Sequence, residues 1–178
     1  MLIHSFDPVV GPVPRVLILG SMPGRASLAA SEYYAHPRND FWRIMSDLGY
    51  CEHRAEYVAR LQSLRDSRIA LWDVLAACNR EGSLDARIVR ETEQPHDLLG
   101  LLDEHATIAA IFFNGRKAEQ AFHSHSAPGL PSERREHLAL HRLPSTSPAY
   151  AIPYERKLES WSAIDRFLRP SGSSRRVI

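Results

Sequence analysis

The stretch LILGSMPGRASLAASEYYAHPRNDFW, Leu17 to Trp42, decides how the rest of the chain is read. An apolar run meets the turn Gly20-Ser21-Met22-Pro23-Gly24; small residues follow, and two tyrosines lead into His36-Pro37-Arg38-Asn39-Asp40, closed by Phe41-Trp42. The run is short and nearly continuous in apolar character, as in a strand covered on both faces. Pro and Gly then stiffen the turn, so that its backbone amides can point at a ligand oxygen. The spacing is not the G-x-G-x-x-G of a dinucleotide fold, the Gly-Lys-Ser/Thr ending of a P-loop or the G-x-S-x-G of a nucleophile elbow. An ordinary strand-to-helix turn is the alternative.

Three further runs match the first. Val16 to Leu19, Ile69 to Val74, Ile108 to Phe113 and Leu138 to Leu143 are each read as a strand, and the first, third and fourth end in Gly20-Ser21, Asn114-Gly115 and Pro144-Ser145. Helical spacing lies between them. Phe41, Ile44, Met45 and Leu48 form one stripe stopped by Gly49, Leu98 to Leu102 another opened by Asp97, and a last helix is expected from about Tyr154 to Leu168, ended by Pro170. Alternating strands and helices predict a parallel sheet with helices on both faces, whose ligand sits at the carboxyl ends of the strands. Gly20 to Gly24, Asp73, Asn114-Gly115 and Ser145 to Tyr150 should therefore meet at one site.

At 178 residues the chain fits one domain, expected over residues 1–169, with a Ser-, Gly- and Arg-rich tail over 170–178 expected to be disordered. With 22 basic and 21 acidic residues, any affinity for a polyanion must come from a local patch. Two cysteines, Cys51 and Cys78, exclude a disulfide framework and a four-cysteine metal site within one chain. No apolar run approaches the roughly 18 residues of a membrane span, and the first residues lack the pattern of a secretory signal. A cytoplasmic protein is expected. The histidines at 123, 125, 137 and 141 lack acidic or cysteine partners at convincing spacing, and a Ser21-Asp73-His141 triad has no supporting turn motif.

Taken residue by residue, several positions keep two readings. Asn39 or Asp40 fits a helix N-cap, while the Asn39 carboxamide could also hold a water. Asn114 satisfies a turn or reads the edge of a base. Asp73 accepts from a ring N–H or caps a following helix. LPSTSPAY, Leu143 to Tyr150, is a simple Pro-Ser turn or a stiff, hydroxyl-rich loop suited to a phosphate backbone.

Together these pieces resemble the uracil-DNA glycosylase superfamily. GSMPG is similar to its first motif, a strand followed by Gly-x-x-Pro-Gly, and LPSTSPA to its second, while YYAHPRNDFW is similar to a run in the mismatch-specific branch. The combination with Phe113-Asn114-Gly115 most resembles the family 6 branch, the hypoxanthine-DNA glycosylases. The resemblance implies a three-layer α/β/α sandwich around a central four-stranded, mostly parallel sheet. It also implies hydrolysis of the N-glycosidic bond of a deaminated base, hypoxanthine or uracil, flipped out of DNA. Many superfamily members orient the attacking water from the third position of the first motif; here that residue is Met22, and the family 6 pattern gives the role to Asn39.

On the same resemblance Tyr34 stacks on the flipped base, a plain core aromatic being the alternative, and Gly20, Ser21, Met22, Asp73 and Asn114 surround it. Ser145, Thr146 and Ser147 bind flanking phosphates, and Pro148, Ala149 or Tyr150 wedges into the groove. Arg25, Arg80 and Arg142 are candidate phosphate contacts. No lysine holds a motif position, so a monofunctional enzyme is expected, with no metal or organic cofactor. Its partner is DNA containing deaminated bases, and it is expected to be a monomer with no membrane association. A non-catalytic nucleic-acid or nucleotide-binding module, or a small-molecule hydrolase or nucleosidase, is the alternative.

Overall fold

The computed structural model describes residues 1–168. Among the described residues seven strands, β1 (Leu2–His4), β2 (Val16–Gly20), β3 (Ile69–Asp73), β4 (Leu75–Arg80), β5 (Ile88–Pro95), β6 (Ala110–Asn114) and β7 (Ala139–Leu143), form two sheets. The helices are α1 (Arg25–Ala30), α2 (Phe41–Asp47), α3 (Tyr57–Asp66), α4 (Leu98–Glu104), α5 (Arg116–His125), α6 (Ser132–His137), α7 (Tyr154–Trp161) and α8 (Asp165–Leu168).

The four strands expected from the sequence make one parallel sheet in the order β3-β2-β6-β7. Every residue of β2, β3 and β6 is buried, as uninterrupted apolar strands flanked by helices must be, whereas edge strand β7 is mostly half-buried. The pairings Gly20 with Asp73 and Asn114 with Leu143 bring the carboxyl ends of all four strands to one level. That level carries the turn residues singled out above.

A second sheet was not expected. Immediately after Asp73 and Val74 the chain continues as β4, which pairs antiparallel with β1 and β5. No helix follows Asp73, so the capping reading of that residue is wrong. β1 is only three residues long and β5 is largely exposed and polar, so neither carries an apolar signature.

The helical stripes hold. Phe41, Ile44 and Met45 are fully buried, Leu48 nearly so, and Gly49 stops α2 with a φ of 83° that disfavours other residues. Asp97 caps α4, its carboxylate accepting from the Gly100 N–H at 2.9 Å. The single last helix is corrected: α7 passes into a 3-10 turn over Ser162–Ile164 before α8. The expected tail, 170–178, and the final residue of the expected domain lie outside the described residues. Among the described residues no helix is long and apolar enough to cross a membrane.

Trp161 ties the end of α7 to the sheet edge. It is fully buried, meets Phe41 edge-on at 5.9 Å, and donates its indole N–H to the Pro144 carbonyl at 3.0 Å. Trp161→Ala is expected to cost about 3–5 kcal/mol, through the cavity left and the orphaned carbonyl, read as a lowered midpoint in urea.

Candidate active site

At the carboxyl edge of the parallel sheet lies a cleft of about 430 Å³. The proposed catalytic and base-binding residues and the second-motif loop line it, namely Gly20, Ser21, Met22, Tyr34, Asn39, Asp73, Asn114 and the run 145–150, as does Arg25, whereas Arg80 and Arg142 do not. How each is held differs from one to the next.

The turn after β2 is fixed from below. The Gly20 and Ser21 carbonyls accept from the N–H groups of Val74 and Leu75 at 2.9 and 3.2 Å, and the Pro23 carbonyl accepts from the Arg80 guanidinium. Arg80 is buried beneath the turn, so its proposed contact with a phosphate is wrong; it supports the loop instead. Arg25 is exposed at the cleft, and Arg142 is paired with Glu119 at 3.0 Å. At Gly20 a side chain has no room: a methyl group there would overlap Asp73 Oδ1 and fall 3.1 Å from the Tyr34 hydroxyl.

Tyr34 sits at φ 56°, in the left-handed region, and its ring stacks on Phe41 with centroids 4.1 Å apart and planes 25° off parallel. Its hydroxyl is buried without a hydrogen-bond partner. The neighbouring Tyr33 is the core aromatic of the pair, 3% exposed and edge-on to Phe6.

Asn39 lies one residue before Asp40, which holds the N-cap position of α2, and its side chain bonds into the first turn. Its Oδ1 accepts from the Phe41 N–H at 3.0 Å, which fixes the entry to α2, while the residue lines the cleft. One lone pair of that oxygen and the NH2 group stay available. The next residue, Asp40, donates its N–H to the Thr146 carbonyl at 3.0 Å and holds the buried Lys157 ammonium at 2.7 Å. Asn39 is thereby tied to the Pro-Ser loop and to α7.

Asn114 is largely committed to the same loop. Its Nδ2 donates to Thr146 Oγ1 and its Oδ1 accepts from the Thr146 N–H, both at 2.9 Å. Thr146 is therefore fully buried and faces inward, not toward a phosphate as expected; it pins the loop. One N–H of Asn114 lies outside these two bonds, and the side chain also acts on the Tyr34 hydroxyl. Ser145 and Ser147 accept from the N–H groups of Ser147 and Ala149, and Pro148, Ala149 and Tyr150 are exposed at the rim. The Ser21-Asp73-His141 triad does not form, since Ser21 donates to Asp85, Asp73 accepts from Ser5, and the His141 ring stacks on Phe112.

The family model described as the uracil DNA glycosylase superfamily matches residues 8–168. The chain belongs to this superfamily. A curated Methanosarcina acetivorans protein named hypoxanthine DNA glycosylase is 34% identical over 167 residues, which is 93% of this chain and 99% of the relative. A Methanosarcina barkeri protein of the same name is 39% identical over 116 residues, 65% of this chain and 72% of the relative. The solution NMR structure of a Methanosarcina acetivorans protein, described as a candidate uracil DNA glycosylase, superposes with a TM-score of 0.77 at 33% identity, covering 96% of this chain and all of that one.

In this uracil DNA glycosylase superfamily member the cleft also has a wall that sequence reasoning missed. Ser83, Leu84 and Asp85, on the connection between β4 and β5, line it, together with His36. Asp85 takes the Ser21 hydroxyl at 2.8 Å, and Ser83 Oγ accepts from the Arg25 N–H at 3.1 Å. Only the Gly82-Ser83 turn signal marked this segment, and nothing local said that it folds back over the first motif.

Asp73 is the buried acid of the site. Removal from water pushes its carboxyl up to about 7; Asp85 adds to the shift, while the Ser5 hydrogen bond and Arg80 oppose it. A carboxyl raised in the folded state loses stability as pH climbs from its unfolded value, about 4, through 7, because the unfolded chain ionises more easily. Asp73→Asn cannot ionise, so its stability relative to wild type should improve across that window. Melting temperatures compared at about pH 5 and pH 8 test this; an equal or reversed difference contradicts it. Gly20→Ala should lower both melting temperature and activity by forcing the Asp73 carboxyl to turn.

Proposed function

We propose that the protein is a monofunctional DNA glycosylase that excises a deaminated base from DNA, with hypoxanthine the preferred base and uracil the next. The observation that carries this reading is the presence of the Asn39 carboxamide and the Tyr34 ring in one cleft at the sheet's carboxyl edge. The relatives named hypoxanthine DNA glycosylase support the choice of base.

An extruded base loses its stacking and its pairing, and the cleft must replace both. The Tyr34 ring, backed by Phe41, supplies a stacking surface. The backbone N–H groups of Ser21 and Met22 and the remaining N–H of Asn114 meet the polar edge of the base, where each donor that stabilises developing negative charge contributes roughly 3–4 kcal/mol. Asn39 steers a water toward C1′ of the sugar. An oxocarbenium-like centre needs only a modestly activated nucleophile, so a neutral amide suffices.

Outside the cleft, Ser145, Ser147 and Arg25 meet flanking phosphates, and one of Pro148, Ala149 and Tyr150 enters the groove as the base leaves. In this reading the protein works as a monomer on chromosomal DNA in the cytoplasm.

A duplex with one deoxyinosine or one deoxyuridine, incubated with protein and then treated with alkali, breaks at the modified position only after base excision. Asn39→Ala should slow single-turnover excision by about 100-fold or more while leaving duplex affinity within a few fold; unchanged cleavage removes Asn39 from the mechanism. Duplex affinity should also fall steeply from low to physiological salt, and a flat response would speak against the phosphate contacts.

A further inference from the structure

Among the described residues Asp73 is the only acidic side chain that is both more than nine-tenths buried and on the cleft wall. One carboxyl oxygen, Oδ2, accepts from Ser5 Oγ at 2.7 Å; the other lies against Gly20, on the side where the unpartnered Tyr34 hydroxyl also approaches. None of the ion pairs of the described residues includes Asp73. The groups acting on it are Tyr33 and Tyr34 from the connection between α1 and α2, Asp85 from that between β4 and β5, and Arg80 from β4. Arg80 gives one of its N–H groups to Pro23. A carboxyl so placed, in a water-poor wall beside a second acid, keeps its proton well above the usual carboxylate range and gives it up at about 7.

We propose that Asp73 is a catalytic residue, the general acid that delivers its proton to N7 of the extruded purine as the bond between N9 and C1′ breaks. This rests on the glycosylase reading and extends it to the leaving group. The bonding pair of N9–C1′ passes into the imidazole ring of the base while the Asp73 O–H bond gives its proton to N7, so the base departs as a neutral tautomer and not as an anion. Water steered by Asn39 adds to C1′. The proton that this water sheds goes to solvent, from which Asp73 is reprotonated, and the sum is simple hydrolysis. Uracil, departing through N1, has a protonated N3 and no ring lone pair equivalent to N7, so this acid favours a purine. General acids of this kind contribute typically about 100- to 10,000-fold.

The test is single-turnover excision from a deoxyinosine duplex between about pH 5.5 and 9. The wild-type rate should fall about tenfold per pH unit above about pH 7, as the acid ionises. Asp73→Asn should be about 100-fold slower at pH 6 and should lack that falling limb, while its affinity for a duplex carrying non-cleavable 2′-fluoro-arabino-deoxyinosine stays within about threefold. Ser5→Ala removes a hydrogen bond that favours the carboxylate, so its falling limb should move to higher pH, a shift that a merely structural Asp73 would not produce. With 7-deazadeoxyinosine, which lacks the N7 lone pair, the wild type should be no faster than Asp73→Asn.

A wild-type rate flat from pH 6 to 9, an Asp73→Asn variant within about threefold of wild type, an unmoved limb in Ser5→Ala, or faster wild-type excision of the 7-deaza base overturns the assignment. A wild type that excises deoxyinosine at no pH removes the glycosylase reading, and this inference with it.

Discussion

The site depends on the buried contact between Lys157 and Asp40. An ammonium 2% exposed is costly unless a carboxylate meets it, so wherever α7 docks, Asp40 must follow. Asp40 is the residue after Asn39, and its own N–H is bonded to Thr146. One ion pair thus ties three segments far apart in sequence: the entry to α2, the loop after β7, and α7. The position of the Asn39 carboxamide is set by the loop after β7 and by α7, and not only by its own turn.

The opposite wall of the cleft is built by the same logic with different chemistry. Arg80, from a strand outside the central sheet, supports the first turn through a carbonyl, and Asp85 reaches over it to Ser21. The antiparallel sheet is therefore not an ornament on the sandwich. It brings the charged groups that fix the turn of β2, while the parallel sheet brings Asp73 and Asn114. Hydrogen bonds to backbone groups hold the loops, and Tyr34, strained in backbone and stacked on Phe41, is left facing the space between them.

Much of this was legible from sequence, for local reasons. Continuous apolar runs pointed to β2, β3, β6 and β7, three of them ending in Gly, Asn or Pro, and the stripe at Phe41, Ile44, Met45 and Leu48 pointed to α2. What was missed depends on partners distant in the chain. Arg80 looked like a phosphate contact because its burial requires β1 and β5 to pair with β4. Thr146 looked like a surface hydroxyl because only Asn114 turns it inward. The break after Trp161 was invisible because Leu158, Trp161, Ile164 and Phe167 recur every third residue, a spacing that suits a 3-10 turn as well as an α-helix.

The strand order also bears on how the protein is made. Among the described residues β7 is the last strand in chain order, and the loop and helix that hold Asp40 come after it. Parallel pairings between distant segments form late, because the entropy of closing the intervening loops must be met first. A chain that ends before Lys157 lacks the ion pair that holds Asp40 beside Asn39. The clamp beside Asn39 therefore forms only once the chain through Lys157 has been made.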